Sequence, residues 1–272
     1  MALVGSSGPL GVFLNEYFLL QGWNVRRISR SGGNGVIAAD VRRCAQPDVY
    51  GVARAVVYCA WDTRQRSPQE QQGHVRAAAK WAELAYGAGR TFLFTSTVAA
   101  HSGTASSYGR HKLMAEDAIC EIGGVALRIG LIVDDAYPFL ATAMRGAVRK
   151  RPYLAAALDL LVFALSTATV ASAIASEIEE PRYGGRVWLA PEVPTSLATV
   201  AAWGTGWSSR TVPVLGSLAA GASALNRLMP GNRYLDALVG LRESDEGRGR
   251  DVLLPRTGQV PDDDWKLSLI AE

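Results

Sequence analysis

The chain has 272 residues, of which 49% are hydrophobic and 19% charged, and carries a net charge of +3. It is long enough for one large α/β domain, or for a nucleotide domain with a small substrate lobe, and too apolar for general disorder. Its 28 basic and 25 acidic residues are scattered, giving a weak bias toward anionic ligands and no case for nucleic acid.

Ala2–Val4 reads as a short buried strand. Residues 12–21 have helical spacing through Phe13, Tyr17, Phe18 and Leu20, with Gly22 placed to end the helix. A second strand is expected over 24–29, and Gly32, Gly33 and Gly35 force a loop before a third over 35–39, closed by Asp40. Residues 55–60 are apolar on both faces, as an interior parallel strand requires when helices cover both sides of the sheet. A long helix follows over 69–86, with Gly87 and Gly89 at its exit, then a fifth strand over 91–95. Residues 108–122 form a helix whose apolar face includes Leu113, Ile119 and Ala115 or Ala118, and 125–132 form a sixth strand. This alternation predicts an α/β Rossmann-type parallel sheet with helices on both faces and a ligand crevice at the carboxyl ends of its strands.

The division expected is a dinucleotide-binding domain over 1–132. Residues 133–272 would form a small, irregular, mainly substrate-binding lobe with elements returning to the core. Helices are expected over 138–148, over Thr167–Glu179 with Thr167 as N-cap, and over 196–203 and 219–228. Strands are expected over 160–164 and 186–189, and 245–250 reads as an exposed loop. The most apolar stretch, 154–178, contains Asp159 and several hydroxyl residues, so it divides into strand and helix and no membrane partner is expected. Cys44, Cys59 and Cys120 have neither metal-ligand spacing nor the density of a secreted scaffold. With no secretory pattern at the start, a cytoplasmic protein without a metal site is the simple reading.

The first chemical signal is Gly5-Ser6-Ser7-Gly8-Pro9-Leu10-Gly11 between strand and helix. Gly5 permits the tight turn, Gly8 lets the backbone approach a pyrophosphate, and Gly11 lets the helix pack on the sheet. Ser7, Pro9 and Leu10 complete the helix start, where amides and the helix dipole favour phosphate and a missing proline N–H costs nothing. After the second strand, where an NAD site ordinarily carries an acid, stand Ser29 and Arg30. Arginine there suits a 2′-phosphate, which favours NADP(H) over NAD(H); a solvated strand edge is the plain alternative. Asp40 either accepts a bond from the adenine amino group or caps a turn.

The second signal is Tyr108 and Lys112, four residues apart and so on one helix face. An ammonium near the phenol stabilises its anion and eases proton transfer. Thr97, after the hydroxyl-rich strand end, is placed to hold a substrate oxygen. A half-buried tyrosine beside a surface lysine is the alternative.

These pieces, with Asp40-Val41, Tyr58-Cys59-Ala60-Trp61, Phe94-Thr95-Ser96-Thr97 and Leu127-Arg128-Ile129-Gly130, resemble the extended branch of the short-chain dehydrogenase/reductase superfamily, the nucleotide-sugar epimerases, dehydratases and reductases. The resemblance implies Tyr108 as acid/base, Thr97 as the catalytic hydroxyl, and Lys112 as the residue that tunes Tyr108 and binds the nicotinamide ribose. It places Val41, Cys59 and Ala60 in the cofactor site. Val98 and Ala99 stand where dehydratases carry an acid pair, which disfavours dehydration. The resemblance therefore implies NADPH-dependent reduction of a keto group on a nucleotide-linked sugar or similar polar substrate. An epimerase with retained cofactor, or a non-catalytic dinucleotide-binding regulator, are the alternatives, and a homodimer is compatible with any of them. Phe139, Tyr153 and Trp188 are candidates to line the substrate crevice, or core residues.

Overall fold

The computed structural model describes residues 1–43, 47–62, 67–133, 161–182, 184–189, 195–196 and 254–255. Three short apolar strands make the middle of the sheet: β1 (Ala2–Val4), β4 (Ala55–Tyr58) and β5 (Thr91–Thr97). β2 (Arg26–Ser29) and β3 (Val36–Ala38) extend it on one side, and β6 (Val125–Ile129) and β10 (Gly185–Leu189) on the other. These seven strands pair in parallel, and the two-residue strand β12 (Leu254–Pro255) pairs with β10, giving the order β12-β10-β6-β5-β4-β1-β2-β3. β7 (Leu131–Ile132) pairs with β9 (Ala164–Leu165), and β8 (Leu161–Val162) with β11 (Thr195–Ser196), in two small separate sheets.

Side-chain alternation along β4 explains the two-sided core. Val56 and Tyr58 join Trp81, Ala78, Ala82 and Ala85 of α2 (Pro68–Gly87) and Ala115 and Ile119 of α3 (Ser107–Ile122). Val57 faces the other way, with Leu14 and Phe18 of α1 (Pro9–Leu20) and Val170, Ala171 and Ile174 of α4 (Thr167–Glu179). Helices therefore cover both faces, as the unbroken apolar run predicts.

Several boundaries differ from the sequence-based expectation. α1 starts at Pro9 rather than residue 12, because Gly8 already serves as N-cap. The expected sixth strand over 125–132 breaks at Gly130, whose N–H donates to Leu189 O at 2.9 Å and where a Cβ would lie 2.2 Å from Phe163 O. The chain there is pressed between two neighbours and continues as β7. Thr167 is not the N-cap of α4; Ser166 is, its side chain accepting from Thr169 N at 3.1 Å. Ser196, expected to open a helix, lies in β11, paired with Leu161. The expected helices over 138–148 and 219–228, the loop over 245–250, Cys44, Phe139 and Tyr153 lie outside the described residues.

From β1 the sheet runs through β2 and β3 on one side and through β4, β5 and β6 on the other. The crevice between oppositely directed connections opens at such a switch point, beyond the carboxyl ends of β1 and β4. The loops after Val4 and Tyr58 and the end of β5 meet there.

Candidate active site

The glycine turn is held by contacts only glycine permits. Gly5 has φ +87°, its N–H donates to Ile28 O at 2.9 Å, and a Cβ on it would lie 2.7 Å from Ala60 N. Gly11 is as closely pressed, since a Cβ there would lie 2.2 Å from Gly5 O. Gly8 differs: its added Cβ would meet only Gly5 O, at 3.3 Å. No side chain caps α1 at Gly8, and Pro9 brings no N–H, so its first-turn amides are left for a ligand or solvent. Ser7 is exposed beside this turn, whereas the Leu10 side chain packs on the core. A dinucleotide phosphate suits this cradle.

At the β2 end, Ser29 is buried and its hydroxyl lies 3.5 Å from that of Ser31. Arg30 is largely exposed, and its guanidinium stands 3.9 Å from the carboxylate of Asp62, which follows β4. Sequence reasoning missed Asp62, which has no local relation to Arg30. Asp40 takes the turn-capping role, accepting from the Arg42 backbone N–H at 3.1 Å and from its guanidinium at 3.3 and 3.2 Å. Hydrogen bonding to Arg42 holds the Asp40 carboxyl below its usual range. Val41 packs on the core, and its carbonyl accepts from Trp81 Nε1 at 3.1 Å. Cys59 and Ala60 lie against the glycine turn, with Cys59 N–H donating to Val4 O at 2.8 Å. Burial pushes the Cys59 thiol up to about 12, so it stays neutral.

α3 is capped at its start by Ser106, whose hydroxyl accepts from Gly109 N at 3.1 Å. Tyr108 is half-buried one residue into the helix, and Lys112 follows one turn on at 3% exposure. The Lys112 ammonium donates to Thr95 O at 2.7 Å and lies 5.7 Å from the centroid of the Tyr108 ring. It is also 4.3 Å from the Trp61 ring and 4.4 Å from the Phe94 ring. The alternative of a surface lysine is therefore excluded. Thr97, half-buried at the end of β5, accepts from Ala99 N at 3.3 Å. Burial pulls the Lys112 ammonium from 10.5 down to about 7, while the nearby Glu116 carboxylate opposes that shift.

Between pH about 7 and about 10.5 the unfolded chain thus holds a proton on Lys112 that the folded chain does not, so the contribution of Lys112 to stability rises with pH across that window, and below pH 9 the raised Cys59 thiol does not oppose it. Urea unfolding at a series of pH values should show that slope in the wild type and a flatter one in Lys112→Met. Equal slopes would mean that the ammonium is not strained by burial.

The face expected to be apolar also carries charge. Glu116, one further turn along α3 and 0% exposed, receives Arg128 Nε at 3.0 Å and Nη2 at 2.7 Å, and Arg186 Nε at 2.9 Å. Ser96 donates to the same carboxylate, and Arg186 also pairs with Asp117. This network ties α3 to β5, β6 and β10. The regular spacing Tyr108, Lys112, Glu116 is the signal that could have found it. Trp188, a candidate to line the crevice, is instead core: it meets Phe163 edge-on at 5.2 Å and is 9% exposed.

Neither a family model nor a curated protein matches the sequence. Solved structures do match. MoeE5 in complex with UDP-glucuronic acid and NAD is 16% identical, with a TM-score of 0.62 over 76% of this chain and 81% of that one. UDP-N-acetylglucosamine 4-epimerase from Bacillus cereus is 16% identical, with a TM-score of 0.58 over 74% of this chain and 82% of that one. A short-chain dehydrogenase/reductase superfamily protein from Agrobacterium tumefaciens with bound NAD is 16% identical, with a TM-score of 0.59 over 75% and 82%. These likenesses, with the glycine turn and the parallel sheet covered by helices on both faces, show the fold: this chain has the Rossmann-type α/β fold, as these solved structures do.

Proposed function

We propose that the chain is an NAD(P)(H)-dependent oxidoreductase that uses NADPH to reduce a keto group on a nucleotide-linked sugar or similar polar substrate. The observation that carries this reading is the Tyr108–Lys112 pair, held against the hydroxyl-rich end of β5, at the sheet end that also bears the glycine turn. A bound dinucleotide supplies the hydride. Gly5, Gly8 and Gly11 admit its pyrophosphate to the start of α1, with Ser7, Pro9 and Leu10 shaping that turn. Cys59 and Ala60 wall the crevice. Tyr108 gives its phenolic proton to the oxygen that becomes alkoxide, Thr97 aligns that oxygen, and the Lys112 charge steadies the tyrosinate left behind. Residues 1–132 hold the cofactor, and residues 133–272 shape the substrate side. The solved structures with this fold include one in complex with UDP-glucuronic acid and NAD, a UDP-N-acetylglucosamine 4-epimerase and a dTDP-4-dehydrorhamnose reductase, which supports that substrate class.

The test is NADPH oxidation with a panel of nucleotide-linked keto sugars. Stoichiometric consumption with at least one of them is expected. Turnover of a nucleotide sugar without net NADPH consumption would replace the reductase by an epimerase, which uses the same residues and keeps its cofactor.

The cofactor preference rests on Arg30 and its neighbour. Arg30→Ala should weaken NADPH while sparing NADH, and Asp62→Asn should tighten NADPH, because the Asp62 carboxylate both engages Arg30 and repels a 2′-phosphate. Calorimetric titration of both dinucleotides reads this directly. Equal affinity of the wild type for the two, or parallel losses in R30A, would remove the preference.

A further inference from the structure

Trp61 stands where the Lys112 ammonium meets the crevice. Of the ammonium's three donors, one serves Thr95 O at 2.7 Å, and the rings of Trp61, Phe94 and Tyr108 surround the rest at 4.3, 4.4 and 5.7 Å. Ribose hydroxyls that bond this ammonium must approach to about 2.7–3.2 Å, so one ring has to yield. Phe94 is 0% exposed inside β5 and Tyr108 is carried on α3. Trp61 follows β4 in a connection outside any helix or strand, is half-buried, and its Nε1 donates no hydrogen bond among the described residues. It is held by a stack on His74 at 5.3 Å, a tilted contact with Phe94 at 6.0 Å and an edge-on contact with Tyr108 at 6.4 Å. Those are ring contacts that a turn of the indole can exchange, without breaking a directional bond.

We propose that Trp61 sets the affinity of the dinucleotide site: its indole competes with the nicotinamide ribose for the Lys112 ammonium and turns aside when that ribose binds. The inference rests on the dinucleotide reading above. It divides recognition in two. The adenosine half, at Arg30 and the glycine turn, binds without disturbing Trp61, whereas the nicotinamide half must displace a cation–π contact. Moving the indole also removes its edge from Tyr108, so engagement of the nicotinamide half changes the surroundings of the proton donor.

The experiment is calorimetric titration of the wild type, Trp61→Ala and Trp61→Phe with two ligand pairs: NADPH against 2′,5′-ADP, and NADH against ADP. The fragments lack the nicotinamide ribose. W61A should bind the intact dinucleotides about 3- to 30-fold more tightly than the wild type, the range expected for loss of one partly desolvated cation–π contact. The fragments should bind unchanged, and W61F, which keeps a smaller ring, should fall between. In a Lys112→Met background the tightening should vanish, since the ammonium is what is being contested. Weaker dinucleotide binding in W61A would make Trp61 a stacking platform and overturn the competition. An equal shift for dinucleotides and fragments would make its role general packing and overturn it too. If neither dinucleotide binds the wild type or W61A, the dinucleotide reading itself falls and the inference with it. A wild type that binds, with W61A no tighter, defeats the competition alone.

Discussion

Tyr108→Phe should fold as the wild type does and keep its dinucleotide affinity, while single-turnover hydride transfer falls about 10²–10⁴-fold. The ring stays in place against the edge of Trp61 and near the Lys112 ammonium, with its centroid at 5.7 Å from Nζ. Only the transferable proton is lost. Lys112→Ala should be less selective, harming dinucleotide binding and turnover together, because the ammonium serves both the phenol and the ribose in the proposed site. Thr97→Ala should lower turnover with little effect on the cofactor. Circular dichroism, dinucleotide titration and rapid-mixing measurements with an accepted keto substrate separate these effects. A folded Y108F protein that transfers hydride at the wild-type rate would take Tyr108 out of the chemistry.

The largest expected effect on stability lies one turn further along the same helix. Glu116→Ala leaves the guanidinium of Arg128, 1% exposed, without its carboxylate. Removing one member of a buried ion pair costs about 3–5 kcal/mol. Replacing both members with apolar side chains of similar size should cost far less, since the unpaired charge disappears with its partner. Urea unfolding of E116A, Arg128→Met and the Glu116→Leu/Arg128→Met double variant tests this as a cycle. Single variants within about 1 kcal/mol of the wild type would show that the network does not anchor α3. Where the singles do fold, their turnover should fall more than their dinucleotide affinity. The carboxylate ties the helix bearing Tyr108 to Ser96, the neighbour of Thr97, and so sets the position of one reacting group against the other.

What could be read along the chain was whatever depends on near neighbours. Gly5, Gly8 and Gly11 are spaced by the local geometry of a turn entering a helix, and the structure puts them in that turn. Tyr108 and Lys112 share a face because a helix turns once in 3.6 residues. The unbroken apolar run of β4 implied cover on both sides, and both cores are present. Even the misplaced cap of α4 was off by one residue, since Ser166 and Thr167 are both hydroxyl residues and local spacing does not choose between them.

What only the tertiary structure decided is where the charges and the indole went. By the usual cost of desolvation, Lys112 and Glu116 belong in water. They are buried because partners arrive from other elements: for Glu116, Arg128 from 12 residues away and Arg186 from 70, each on a strand that the sheet order sets beside β5 or β6, and for Lys112 the carbonyl of Thr95 in β5. Asp62 meets Arg30, and Trp61 covers Lys112, for the same reason. Parallel strands deliver their carboxyl ends to one edge, so residues far apart in sequence converge there. Periodicity reports which face of an element turns inward; which side chains that face then meets is set by the order of the strands.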